Sequence, residues 1–291
     1  ATNVVAAPQA CVITPVSLDH QGFLGDTVDQ IAGEKAGIIK PGAPVVVGPQ
    51  SDGARNVIAE AARRIGAPVR VWGEDFRAYP EPDRLVYEEE SLLWDLPAPS
   101  LPGPHQIVNA GIAAAAARAC GFAQEAVRDG LRTAVWPGRL QRLSAGPLAR
   151  IARDGGAELW LDGGHNPAAG ESLAASLGQM SGAADRPLVL ISAFGANKDA
   201  GAFLTYFQGL AARVIAVSFQ GGREGMQSAQ AVAEAARRVD LPAQTAAGLE
   251  EAVHDALEDY ESPRILICGS LYLAGAVLAL DGDGTVQITP G

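Results

Sequence analysis

Apolar residues along the chain fall in short dense runs that alternate with longer segments of helical period. Ala10–Val16 (ACVITPV) is a β-branched run that reads as a buried strand; the loop after it holds His20, and a helix follows over roughly Thr27–Ile39. Ala43–Gly48 (APVVVG) predicts the next strand, and SDGARNVIAEAARRIG predicts a helix with Ser51 as N-cap and Gly66 as its stop. From Val69 to Leu101 the pattern loosens into short strand-like pieces and proline-rich loops. His105–Gly121 then reads as an alanine-rich helix, and QEAVRDGLRTAV as another.

After WPGRLQRL (Trp136–Leu143) a second and cleaner alternation begins. LWLDGG, PLVLISAF, RVIAVSF and RILICG are apolar runs that end in glycine or small polar residues, each followed by a helical segment. That pattern predicts an α/β fold whose parallel sheet is covered by helices, with ligand groups at the carboxyl ends of the strands. The boundary between the two alternations falls near Pro137–Gly138. No internal repeat is visible, and no low-complexity tract beyond the enrichment in alanine.

Composition narrows the classes. With 291 residues, 48% of them hydrophobic and 19% charged, the chain is long enough for two globular domains and too apolar for disorder. A net charge of −11 and a pI near 4.8 exclude a general nucleic-acid binder, so an anionic ligand must be held by a few placed cations and backbone N–H groups. Cys11, Cys120 and Cys268 lie far apart in apolar or alanine-rich surroundings, which argues against a disulfide framework or a zinc site and for a reduced, cytoplasmic setting. No stretch has the length of a membrane span, and no membrane partner is expected. The start, ATNVVAAPQACVITPV, lacks both the basic region of a signal peptide and an initiator methionine, as in a chain that begins partway through something.

Of the 22 basic residues counted as Lys plus Arg only three are lysines, and two of these, Lys35 and Lys40, share one short segment with one of the four histidines, His20. Where arginine serves for bulk positive charge, a retained lysine points to chemistry that a guanidinium cannot do: a primary amine can lose its proton and be modified covalently. Ala32, Gly33, Ala36 and Gly37 flank Lys35, so something is expected to approach the helix closely there. His20 reads either as a loop histidine bonded to backbone or as a metal ligand.

WLDGGHNPAAG (Trp160–Gly170) is the second cluster. Asp162 closes a strand, Gly163 and Gly164 turn, His165 projects, and Asn166-Pro167 opens a helix as N-cap and first helical residue. An ordinary capped turn accounts for the glycines, Asn166 and Pro167 but leaves Asp162 and His165 unused. A helix N-terminus suits phosphate or carboxylate, and a strand-end aspartate suits ribose hydroxyls. AFGANKDAGAF repeats the arrangement with Lys198 and Asp199, and ICGSLYLAG with Ser270.

Seven phrases, SLDHQGFLGDT, EKAGIIKPG, HQIVNA, WPGRLQ, LDGGHNP, NKDAGAF and CGSLYL, together resemble the folylpolyglutamate and dihydrofolate synthases of the Mur ligase superfamily, in the family's order and almost end to end. The resemblance implies part of a P-loop-type Mur ligase central domain over residues 1–138 and a Rossmann-like C-terminal glutamate-ligase domain over 139–291. It implies an ATP-dependent ligase that joins L-glutamate to dihydropteroate, to folates or to both, with two magnesium ions, working as a monomer on small molecules. By position, His20 matches a magnesium ligand, and Lys35 matches a lysine that carries a carbamate and helps hold a second magnesium ion. Asn109 matches a contact to adenine, Arg139 one to the ATP phosphates and Asp162 one to the ribose. His165, Lys198 and Ser270 resemble residues facing the phosphates or the incoming glutamate, with Ala1 as a further substrate contact.

One departure accompanies these matches: the chain has no Gly-Lys dipeptide, so the family's phosphate-binding loop is absent from it. The resemblance thus covers the C-terminal two thirds of such an enzyme, and the 291-residue chain alone is expected to bind ATP weakly and not to turn over. Two other readings stand beside this one: a truncated, non-catalytic binding or assembly fragment, and a sister ligase of cell-wall synthesis.

Overall fold

The structure is a computed structural model that describes residues 3–19, 21–180, 186–219 and 225–281. The chain divides into two compact units, Ala1–Val135 and Trp136–Gly291.

In the first unit, β1 (Cys11–Ile13) leads through the single turn α1 (Gln21–Leu24) to α2 (Val28–Ala36), β2 (Val45–Val47), α3 (Asp52–Ile65) and β3 (Val69–Val71). The three strands form a parallel sheet in the order β1-β2-β3. Alternation along β2 places its valines on both faces: Val45 and Val47 pack with Ala32, Ala36 and Ile58 of α2 and α3, and Val46 packs into a second core. Ser51 caps α3 by accepting the Ala54 N–H, and Gly66 ends it in the left-handed conformation at φ +70°, as the sequence predicts. The second helix ends at Ala36 rather than Ile39, with the Gly37 N–H folded back onto the Glu34 and Lys35 carbonyls.

The loosely patterned stretch forms a real sheet. β4 (Phe76–Glu81), β5 (Arg84–Glu89) and β6 (Leu92–Pro97) are an antiparallel meander, followed by α4 (Pro104–Ala119) and α5 (Gln124–Thr133). Phe76, Leu85, Tyr87, Trp94 and Leu96 pack on Ala110, Ile112, Ala114 and Ala115 of α4. The helix comes very close at Gly111, where a Cβ would lie 2.6 Å from Ala78 Cβ and 2.7 Å from the Trp72 ring. At the end of β5, the nearly buried Glu89 accepts bonds from Arg70 Nη1 at 2.7 Å, from Arg118 Nε at 2.5 Å and from the Tyr87 hydroxyl, tying β3, β5 and α4 together. Burial alone would raise the Glu89 carboxyl, but the Tyr87, Arg118 and Arg70 bonds outweigh it and hold it below its ordinary value.

The second unit runs β7 (Gln141–Leu143), α6 (Pro147–Asp154), β8 (Glu158–Leu161), α7 (Pro167–Gln179), β9 (Leu188–Ser192), α8 (Ala200–Leu204), β10 (Ala211–Val217), α9 (Ala229–Arg238), β11 (Ala243–Ala246), α10 (Leu249–Asp259), β12 (Arg264–Cys268) and α11 (Leu271–Asp281). The sheet order is β11-β10-β9-β12-β8-β7, parallel except for β7. Leu188, Leu190, Val214, Ala216 and Leu266 face α7, α8 and α9, while Val189, Ile191, Ile215, Ile265 and Ile267 face α6, α10 and α11. The expected parallel α/β sheet is therefore present, with β7 and β11 as strands that the apolar pattern does not announce.

Candidate functional site

The last strand decides where a site can form. β12 lies between β8 and β9, and it is followed by α11 on one face of the sheet, whereas β8 and β9 are followed by α7 and α8 on the other. Connections that leave neighbouring strands toward opposite faces open a crevice beyond their carboxyl ends, where α/β folds bind ligands. Asp162 and His165 follow β8, Lys198 follows β9 and Ser270 follows β12.

The ends of β8 and β12 are joined directly. The Asp162 N–H donates to the Ile267 carbonyl at 2.9 Å, and the Gly269 N–H donates to the Gly164 carbonyl at 2.9 Å. Gly269 has φ +105°, and a Cβ there would meet the Ala193 carbonyl oxygen at 2.7 Å, so β9, β12 and β8 close together only with glycine at this position. Asp162 is buried, and its carboxylate accepts from the Gly164 N–H at 2.6 Å and from the Leu140 N–H at 2.7 Å. The Arg139 guanidinium lies over the same turn: Nη1 is 3.6 Å from the position a Cβ on Gly163 would take, and among the described residues no carboxylate pairs with it. The backbone N–H groups of the turn are taken up within it, and the Arg139 guanidinium supplies the positive charge that suits an anion here.

His165 Nδ1 stands 2.8 Å from the Gly163 carbonyl oxygen. A carbonyl can only accept, so Nδ1 carries the proton, and in the neutral ring the lone pair sits on Nε2. Asn166 accepts the Ala169 N–H at 2.9 Å and Pro167 opens α7, as the sequence predicts. Ser270 Oγ accepts the Tyr272 N–H at 3.1 Å, so its hydroxyl serves the first turn of α11. Beneath this region, burial pushes the Cys268 thiol up to about 12, with the Asp162 charge adding to the effect against a bond from Ser192. It is a packing residue, not a nucleophile.

Lys198 belongs to a separate feature. It lines an open pocket of about 480 Å³ with Asn197, Asp199, Gln227 and Arg238. Gln227 Nε2 donates to the carbonyls of Gly195 at 3.0 Å and Lys198 at 2.6 Å and so holds the segment that carries the lysine. Gln227, like Leu140, carried no signal in the sequence, because its partners are some thirty positions away.

In the first unit, Asn109 is exposed on α4 and donates to Gln106 Oε1 at 3.0 Å; Gln106 in turn contacts His105 Nε2 at 3.0 Å. Lys35 is exposed on α2. The small residues beside it do admit a close neighbour, but that neighbour is α3: Ala32 and Ala36 are buried in the core, and a Cβ on Gly33 would lie 3.7 Å from Val57. His20 and Ala1 lie outside the described residues. Among the described residues no three His, Cys, Asp or Glu side chains converge.

Residues 149–280 match the family profile of the dihydrofolate synthetase C-terminal domain. A folylpolyglutamate synthase of Lacticaseibacillus casei is 32% identical over 95% of this chain and 62% of its own length. The chain is similar to the folylpolyglutamate/dihydrofolate synthase family along nearly its whole length. A dihydrofolate synthase/folylpolyglutamate synthase of Bacillus subtilis is 35% identical over 61% of the chain and 41% of its own length. Among solved structures of the family, Mycobacterium tuberculosis folylpolyglutamate synthase complexed with ADP and AMPPCP superposes with a TM-score of 0.80 at 28% identity, covering 97% of this chain and 65% of that one. Escherichia coli FolC in complex with DHPP and ADP gives 0.80 at 25% identity, covering 95% and 62%. The Yersinia pestis enzyme complexed with AMPPNP and Mn ion gives 0.79 at 26%, covering 96% and 62%. These matches thus span between 41% and 65% of the length of the relatives.

Proposed function

We propose that this chain forms part of a cytoplasmic, monomeric ATP-dependent ligase that joins L-glutamate to dihydropteroate, to folates or to both. Residues 1–138 would belong to its ATPase domain and 139–291 to its glutamate-ligase domain. The observation that carries the reading is the joined ends of β8 and β12, where Arg139 lies over the Gly163 turn in a chain whose relatives are folate ligases and whose structural neighbours bind adenine nucleotides. A substrate carboxylate attacks the γ-phosphorus of ATP, ADP leaves, and an acyl phosphate forms. The amino group of glutamate then attacks the acyl carbon, an amide forms, and phosphate departs.

Arg139 supplies positive charge where the phosphates gather, worth most when water is excluded. Asp162, at the end of β8, is the ribose contact in this reading. Asn109 contacts adenine. His165, Lys198 and Ser270 face the phosphates or the incoming glutamate, and Ala1 the substrate. Two magnesium ions belong to this reading, with His20 and a carbamate on Lys35 as the ligands that the family resemblance implies.

The test is turnover by the protein as made from its own gene, assayed with dihydropteroate, a tetrahydrofolate and a cell-wall nucleotide, each with ATP and glutamate. Product only with the third would overturn the folate reading. Asp162→Ala or Asn109→Ala should raise the KM for ATP well above any change in that for glutamate, each contact contributing about 1–3 kcal/mol. A change confined to glutamate would place these residues in the other pocket.

A further inference from the structure

Leu140 combines two features that rarely coincide. Its backbone is left-handed, at φ +39°, and its side chain is fully buried in the core on the α7 face of the sheet. A bulky L residue avoids that conformation because its Cβ crowds the following carbonyl, so the surroundings must hold it. Three bonds to residues 138–141 do so, with a fourth behind them. The Leu140 N–H donates to the Asp162 carboxylate at 2.7 Å, whose other oxygen is fixed by the Gly164 N–H at 2.6 Å. The Gly163 N–H donates to the Gly138 carbonyl at 2.9 Å, and the Gly138 N–H donates to Gln141 Oε1 at 2.9 Å. Gly138 is itself left-handed, at φ +68°.

Arg139 is the residue between these two left-handed positions. Its own backbone direction is therefore set by its neighbours: Leu140 pinned in the core and to Asp162, Gly138 pinned to Gly163. The result is a guanidinium laid over the Gly163 turn with no carboxylate among the described residues to hold it there. We propose that Leu140 is a positioning residue, whose constrained backbone aims Arg139 at the strand-end crevice, and that Asp162 latches this arrangement in addition to any contact it makes with the nucleotide. The proposal rests on the reading of Arg139 as a phosphate contact.

The test compares two substitutions of similar volume in the protein as made from its own gene. Leu140→Met keeps a side chain unbranched at Cβ, whereas Leu140→Ile adds a branch at Cβ that makes the left-handed backbone much less accessible. Leu140→Ile should raise the KM for ATP at least tenfold and leave that for glutamate within about twofold, and Leu140→Met should stay close to the parent. In an Arg139→Ala background the Leu140→Ile effect should vanish, because the two residues act through one contact. A Leu140→Ile effect that persists undiminished beside Arg139→Ala, or a parental ATP KM in Leu140→Ile, would overturn the positioning role and leave the reading of Arg139 intact. An unchanged ATP KM in Arg139→Ala alone would overturn both. Should Leu140→Ile fail to fold, Gln141→Ala loosens the same segment from its partly exposed side and should give a smaller rise, about threefold, that again disappears in the Arg139→Ala background.

Discussion

The two units solve the same problem of burying a parallel sheet by different means. The second spreads six strands between two helical layers; its central strands are apolar on both faces along most of their length, with one ion pair, Arg264 to Glu158 at 3.0 Å, where β12 and β8 begin. The first has three short parallel strands, and it completes its core with an antiparallel meander and with a charged cluster, Arg70, Glu89 and Arg118, bridged by Tyr87. Where a sheet is wide, dispersion and dehydration do most to define it. Where it is narrow, directional bonds between strand, meander and helix supply the definition, at the cost of removing a carboxylate from water.

The largest effect expected from breaking this contrast is in the second unit. Leu190 has no exposed surface at the centre of β9, and Leu190→Ala should cost about 3–4 kcal/mol through lost burial and a cavity that flanking strands cannot fill. Denaturant titration with hydrogen exchange should show the loss in residues 136–281 and little change in the first unit. A uniform loss across both would mean that the units unfold as one.

Next comes Glu89→Gln. It leaves two guanidinium groups without their countercharge, and the expected cost is about 2–3 kcal/mol, below that of a fully buried pair because both arginines keep over a third of their surface in water. The loss should localise to the first unit. A neutral result would show that the cluster orders the chain without stabilising it.

Acid separates the units more gently. Glu89 and Glu158 both titrate below the ordinary value of 4.5; in Glu158 burial acts upward, and bonds from Arg264 and Trp160 outweigh it. A depressed folded value contributes stability that is fully present above 4.5 and is lost as pH falls through the folded value. Stability of each unit should therefore decline below pH 4.5, and the acid slope of the first unit should flatten in Glu89→Gln while that of the second is unaltered. An unaltered slope in the first unit would assign its acid sensitivity to other carboxylates.

The smallest effects are at the caps, Ser51 on α3 and Asn166 on α7, where replacement by alanine should cost about 1 kcal/mol each. Equal costs in the two units would show that this local term is independent of the sheet behind it. A much larger cost at Asn166 would mean that the cap also supports the β8 turn.

Those caps were legible from the sequence because each is a contact between residues three apart. The central strands of the second unit were legible because burial on both faces writes a continuous apolar run. β7, with QRL, and β11, with AQTA, lie at the sheet edges and carry polar residues, so neither run nor alternation marks them. β4 was obscured by Pro80, which an edge strand tolerates because one side of it needs no ladder bond. At the candidate site, the residue types at the strand ends could be read, but the bond from Leu140 to Asp162 spans 22 positions, and the left-handed leucine it supports looks in sequence like any other apolar residue.

The place of β12 in the sheet also fixes an order of events during synthesis. Until residues 264–268 leave the ribosome, β8 has no neighbour on one side, and neither does β9, because the strand that pairs with both has not been made. The nascent second unit is therefore two separate strips, β7 with β8 and β9 with β10 and β11, each presenting an unpaired parallel edge. The last strand joins them and, through Gly269, brings the turns after β8 and β9 to their final spacing. The geometry of the crevice thus depends on completion of the sheet, and a nascent chain stalled before Arg264 offers its open edges to chaperones and proteases.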